Sequence, residues 1–153
     1  TGNGVHEFAM NLLMEFDMVQ ENIQLKGPAK IYAPGGARNK YSAGVEKFTQ
    51  SLETSGAKLR YSGGFVPGIK QVLIKRNGIF MYPSLTDAPV GKLRLLYELN
   101  PMAYLVEQAG GAASDGNQRI LDIQPQSIEQ RAPVFIGTPE AVGLAEQCIR
   151  EED

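Results

Sequence analysis

The sequence predicts an α/β fold, a layered β-sheet flanked by helices, in a single domain over residues 1–153. Two observations carry this. Short apolar runs of strand length (KIYA, GIFMY and PVFIGT) alternate with stretches whose apolar residues recur at helical spacing. Glycine and proline pairs stand at the junctions between them, where the backbone must turn. A chain of 153 residues with 42% hydrophobic side chains is long enough to bury a core of its own.

VHEFAM alternates weakly, and EFDMVQENIQL fits a second strand or a short helix; two strands around an irregular turn are the preferred reading of residues 5–23. Gly27-Pro28 interrupts the chain before a short strand at KIYA. A glycine-rich loop follows, APGGARNKY. Residues 42–52 form an amphipathic helix, with Ser42 as cap, Val45, Phe48 and Leu52 on the buried face, and Glu46 and Lys47 toward water. The next helix starts near Pro67 and stops near Asn77-Gly78. Residues 78–82 are a buried strand, and SLTDAPVG after it is an exposed loop and a candidate lid. Asn100 and Pro101 suit the cap and first position of a third helix, which could begin as early as Glu98. Met102, Leu105, Val106 and Ala109 share its apolar face, and Gly110-Gly111 ends it. AASDG and RILDI are short strand and turn elements, PVFIGT is a buried strand, and Pro139 opens the last helix.

Fifteen basic against seventeen acidic residues leave no charge excess to attract nucleic acid or an anionic membrane. No apolar run is long enough to span a bilayer. The opening TGNGVHEF has no leader-like pattern and reads as cut from something longer. Cys148 is the one cysteine, so it reads as a buried filler rather than a disulfide partner.

The residues that can do chemistry cluster in two stretches, RYSGG and GKLRLLYELNPMAYLVEQAGG. Arg60, Lys92 and Arg94 are candidate phosphate binders, arginine through a fork of donors and lysine as a point charge. Taken singly, each reads more readily as a surface cation, and Arg94 could pair with Glu98 at i,i+4 for ~0.3–0.5 kcal/mol. Tyr61 and Tyr82 stand beside a glycine pair and at a strand end, where α/β proteins place ligands, although on their own they read more readily as packing residues with the hydroxyl at the surface. Glu98 is a candidate magnesium ligand, or a carboxylate favoured by the helix start. Asp115 and Asp122 sit in turn-like contexts, and SDGN lacks the ligand spacing of a calcium loop. His6 has no nucleophile motif beside it and reads as structural. Gly35-Gly36 and Gly63-Gly64 allow close backbone approach but match neither the dinucleotide fingerprint nor the Walker loop.

The segments KIY, RYSGG, NGIFMYP, GKLRLLYELNPMAYLVEQAGG, SDGNQRILDIQP and QRAPVFIG occur in the order seen in class I fructose-1,6-bisphosphatases, over nearly the whole chain. The resemblance implies a layered mixed β-sheet flanked by helices, the carboxy-terminal half of the inositol monophosphatase-like sugar phosphatase fold. It implies that Arg60 and Tyr61 bind a 6-phosphate, the arginine from a neighbouring subunit of a homo-oligomer. Tyr82 and Lys92 match further phosphate and sugar contacts, and Glu98 matches a metal-binding glutamate. The implied ligands are fructose 6-phosphate and fructose 1,6-bisphosphate, and the implied cofactor is Mg2+. In the loop after KIY, Gly35 and Arg38 stand where the family usually has asparagine and tyrosine. That loop, and LRYSGGFVPG, are similar to sedoheptulose-1,7-bisphosphatases, which adds Arg38 to the candidate substrate binders. The mixture points to a plant plastid or cyanobacterial branch, with the chloroplast stroma as location and the cytoplasm as the alternative. The D-P-x-D-G motif and the acidic residues of the family's amino-terminal half have no counterpart here. The expectation is half of a magnesium-dependent phosphatase, inactive on its own; a natural non-catalytic half-domain binding a sugar phosphate or a partner protein, and a sedoheptulose-bisphosphatase, are the alternatives.

Overall fold

The computed structural model describes residues 4–152, so the extreme ends of the expected 1–153 domain lie outside the described residues. Strands β1 (Glu7–Met10) and β2 (Phe16–Gln20) form an antiparallel hairpin, as expected for residues 5–23. Its turn is organised by Asn11, whose Oδ1 accepts from the backbone N–H groups of Leu13 at 2.9 Å and Glu15 at 3.0 Å. Phe8, Met10, Phe16 and Met18 stand in solvent, as do Leu12, Leu13 and Met14 at the tip. An exposed apolar patch of this extent marks an interaction surface.

The central sheet has the order β4-β3-β5-β9-β7. Its strands are β3 (Ile31–Pro34), β4 (Lys58–Leu59), β5 (Ile79–Tyr82), β7 (Ala112–Ser114) and β9 (Val134–Gly137). β3 pairs in parallel with both β4 and β5, while β9 runs antiparallel to β5 and β7, so the sheet is mixed. Helix α1 (Ala43–Thr54) joins β3 to β4, and α2 (Phe65–Lys75) joins β4 to β5. Such crossovers let parallel strands pair and bring their carboxyl ends to one edge. Side chains alternate across the sheet. Tyr32, Ile79, Met81 and Phe135 pack with Phe48 and Leu52 of α1 and with Val142, Ala145 and Cys148 of the last helix, α4 (Pro139–Arg150). Ala33, Phe80, Val134 and Ile136 face Ile69 and Val72 of α2 and Ala103 and Val106 of α3 (Asn100–Gln108). The result is a sheet between two helical layers, the architecture of the resemblance.

Local differences from the sequence reading have physical causes. α2 starts at Phe65 and ends through Arg76, held left-handed at φ 59°, rather than at Asn77-Gly78. Asn100 is not the N-terminal cap of α3. A π-helical turn over Leu95–Leu99 feeds directly into α3, so Asn100 already has helical φ −58° and ψ −50°. Its Oδ1 is buried without a hydrogen-bond partner among the described residues. AASDG and RILDI supply a short strand, β7, and a 3-10 turn, Ile120–Asp122, as expected. β6 (Leu93–Arg94) and β8 (Arg131–Ala132) pair as a separate two-stranded sheet. No helix among the described residues is long and apolar enough to cross a membrane.

Candidate functional site

The parallel strands β3, β4 and β5 end side by side, and each hands over to a polar segment. After β3 comes the loop from Gly35 to Tyr41, after β4 come Arg60 and Tyr61, and β5 ends on Tyr82. Their register is held beyond the strands. The Arg60 N–H donates to the Tyr32 carbonyl at 2.8 Å, and the Gly35 N–H donates to the Met81 carbonyl at 2.7 Å.

Gly35 is where the loop and β5 meet most closely. A β-carbon there would lie 2.2 Å from Cδ2 of the Tyr82 ring, so only glycine lets the ring lie against the backbone. From elsewhere in the loop, the Tyr41 hydroxyl donates to the Gly35 carbonyl at 2.9 Å. Burial first, and then the nearby Tyr61 and Tyr82 hydroxyls among other charges, push the Tyr41 phenol up to about 12, against the pull of Arg38. Tyr41 and Arg38 border one cavity, and the Gly35 that Tyr41 holds lies against the Tyr82 ring. Tyr41 had no role in the sequence reading, although it closes the glycine-rich loop.

Lys92 joins this group from another direction. Its ammonium lies 5.7 Å from the centre of the Tyr82 ring, a cation–π distance. The approach depends on Gly91, whose φ is +79° and whose β-carbon would fall 2.2 Å from the Ala132 carbonyl carbon. With that contact open, β6 reaches β8, and the Arg131 guanidinium donates to the Lys92 carbonyl. The candidate lid is tied to the same neighbourhood: Thr86 N–H donates to the Lys40 carbonyl at 3.2 Å, and Lys40 pairs with Asp87.

Arg38 is turned elsewhere. Its Nε and Nη2 donate to Glu46 at 2.9 and 2.8 Å, and its Nη1 and Nη2 donate to Glu53 at 2.6 and 3.1 Å. Tyr32 adds a hydroxyl donor to Glu53 at 3.0 Å. Hydrogen bonds from Arg38 and then Gln50 hold the Glu46 carboxyl at about 2, and Arg38 and then Tyr32 lower Glu53. The sequence reading sent Glu46 to water and assigned Glu53 nothing. Their spacing of seven, two helical turns on one face of α1, was the available signal. A cavity of about 220 Å³ lies beneath this group, lined by Tyr32, Gly36, Arg38, Tyr41, Glu53 and Leu59 among others. A cavity of about 300 Å³ elsewhere, between the hairpin base and α2, is walled mainly by apolar groups such as Ile69, Leu73 and Leu105 and does not suit a phosphate.

Glu98 lies on the π turn, a distortion that recurs at functional sites. Its Oε2 accepts from the Arg94 backbone N–H at 2.8 Å and lies 3.9 Å from the Arg94 guanidinium. Arg94 also reaches Glu129 at 3.2 Å and covers the Tyr97 ring. No group of three or more histidine, cysteine, aspartate or glutamate side chains converges among the described residues, so Glu98 alone does not make a magnesium site. Asp115 caps its own turn, accepting from Asn117 and Gln118 N–H groups at 2.8 Å each, and Asp122 pairs with Arg119 at 2.7 Å. His6 accepts from the Asn22 N–H at 3.2 Å. Cys148 is buried, and that burial raises its thiol.

The family model described as the carboxy-terminal domain of fructose-1-6-bisphosphatase matches residues 25–150. The chain belongs to the fructose-1,6-bisphosphatase family. It is 62% identical over 152 residues to the class 1 fructose-1,6-bisphosphatase of Syntrophotalea carbinolica, covering 99% of this chain and 48% of that protein. It is 62% identical over 144 residues to that of Geobacter sulfurreducens, covering 94% and 46%. With that of Geobacter metallireducens the identity is 65% over 136 residues, covering 89% and 43%. The chain spans about half the length of the curated relatives it matches. These relatives are bacterial and carry the fructose-bisphosphatase name. They lend no support to the plastid branch, the chloroplast location or the sedoheptulose features expected from the loop after KIY.

Proposed function

We propose that this chain is the sugar-phosphate-binding half of a magnesium-dependent fructose-1,6-bisphosphatase that hydrolyses the 1-phosphate to give fructose 6-phosphate. The observation that carries the reading is the meeting of Tyr41, Tyr82 and Lys92 around Gly35, at the edge where three parallel strands end. Ligands of α/β proteins bind at that edge. Lys92, together with Arg60 contributed by a neighbouring copy, supplies positive charge to the far phosphate, and Tyr61 and Tyr82 supply hydroxyls. Holding that end of the sugar lowers the entropic cost of reaction at the other. The names of the relatives favour fructose over sedoheptulose bisphosphate, and their bacterial origin favours the cytoplasm over a plastid.

Glu98 supplies one oxygen ligand to a magnesium site whose other ligands come from the rest of the complete protein. Bound there, the metal would activate water and stabilise the leaving oxygen. The isolated chain is accordingly inactive, and robust magnesium-dependent phosphate release from pure chain contradicts this. The subunits form a homo-oligomer in which Arg60 reaches a neighbour's site. The exposed apolar hairpin supports burial against other protein surface. Calorimetric titration with fructose 6-phosphate tests the binding reading. Saturable binding that is lost in Lys92→Ala supports it, and absence of binding by the unaltered chain sinks it.

A further inference from the structure

We propose that Arg38 is a positioning residue that clamps the Gly35-to-Tyr41 loop onto α1 and does not itself hold phosphate. This rests on the reading above only in naming the ligand whose site the loop borders. The geometry is that of a two-sided clamp. One guanidinium meets two carboxylates through four hydrogen bonds of 2.6–3.1 Å, leaving a single N–H donor of its five uncommitted. Glu46 and Glu53 both project from α1, whose Phe48 and Leu52 are anchored in the core, so the clamp fixes the loop to a rigid element. The Tyr32 hydroxyl braces Glu53 from the sheet.

Charge bookkeeping excludes a direct ligand role. Two carboxylates against one guanidinium leave the cluster net negative, which repels a phosphate dianion. The hydrogen bonds that hold Arg38 also keep both glutamates ionised at neutral pH. What the clamp sets is the course of the loop. Arg38 opens the 3-10 turn Arg38–Lys40, which accounts for the placement of Tyr41, and the Tyr41 hydroxyl then holds the carbonyl of Gly35, the residue packed against the Tyr82 ring. Lysine cannot replace this arrangement, because an ammonium lacks the planar fork that engages two carboxylates at once.

The test has two arms on the 153-residue chain. In the first, amide hydrogen exchange is compared without ligand in the unaltered chain and in Arg38→Lys. The clamp predicts faster exchange at the Lys40 and Tyr41 amides, which donate within the 3-10 turn, with the Phe80 and Ile136 amides unchanged. Unchanged exchange at Lys40 and Tyr41 overturns it. In the second arm, fructose 6-phosphate affinity is measured in Glu46→Gln/Glu53→Gln, which leaves Arg38 intact and frees it. A clamp predicts affinity weakened by about tenfold, the scale of losing charged hydrogen bonds. A phosphate ligand released from two competing carboxylates would bind more tightly, and tighter or equal binding overturns the proposal. If the unaltered chain binds no fructose 6-phosphate, the sugar-phosphate reading fails, and the exchange arm alone decides the clamp.

Discussion

Replacing Gly35 by alanine is the sharpest perturbation of the strand-edge site. The added β-carbon would lie 2.2 Å from Cδ2, 2.7 Å from Cε2 and 2.9 Å from Cγ of Tyr82. Ordinary contact begins near 3.4 Å, so one partner must retreat by roughly 1.2 Å. The backbone of Gly35 is pinned by its bond to Met81 at 2.7 Å, and β5 is paired on both sides by β3 and β9. The Tyr82 ring therefore moves. Gly35 is not held at positive φ, so strain in the alanine backbone adds nothing and the cost is steric. Overpacking of this kind costs ~1–3 kcal/mol. Displacing the ring from Lys92 forfeits a further ~0.5–1 kcal/mol where that contact is exposed. Urea unfolding of Gly35→Ala should show a combined loss of ~1.5–4 kcal/mol with an unchanged m-value, and fructose 6-phosphate affinity should fall. Native stability together with native affinity would refute the claim that this contact shapes the site.

Three other perturbations have defined outcomes. Tyr41→Phe deletes the bond to the Gly35 carbonyl and should cost ~0.5–1.5 kcal/mol at neutral pH by urea unfolding. Burial raises Tyr41 from 10.0 to about 12, so the folded state keeps its proton longer than the unfolded state. That contribution is intact below pH 10.0 and declines as pH rises toward about 12, and Tyr41→Phe should flatten this alkaline slope. Glu46 is lowered from 4.5 to about 2 by its hydrogen bonds from Arg38 and Gln50, so its contribution is present above pH 4.5 and is lost as pH falls toward about 2. Melting curves across that range should show a shallower acid slope in Glu46→Gln. Phe48 is fully buried and meets Phe135 edge-on at 6.1 Å between ring centres. Phe48→Ala should cost ~3–5 kcal/mol in the same unfolding assay.

The strands that were plain in the sequence are the buried ones. GIFMY and PVFIGT form β5 and β9, each flanked on both sides in the sheet, so their apolar runs stand out against polar neighbours. β4 was not legible, because Lys58 and Leu59 lie exposed at the sheet edge and carry no periodic signal. The π turn was hidden for a different reason. LLYELNPMAYL keeps a helix-like spacing throughout, and Asn-Pro imitates a cap, while the widened turn at Leu95–Leu99 depends on tertiary contacts such as the Leu95 N–H donating to Gln130 at 2.8 Å. At the candidate site, Arg38 was visible as a loop cation, but its partners stand eight and fifteen residues along, in another element. Tyr41 acquires its place only when β3 and β5 pair and bring Gly35 beneath Tyr82.

The central claim is that a sugar phosphate binds where β3, β4 and β5 end. Amide chemical-shift mapping of the isotope-labelled chain during a fructose 6-phosphate titration tests it most directly. The account predicts saturable shifts confined to the Gly35-to-Tyr41 loop, the Arg60–Gly64 segment and the Tyr82-to-Lys92 stretch, with the hairpin and α4 silent. Shifts gathered instead at the cavity between the hairpin base and α2, or no shifts at all, would contradict it.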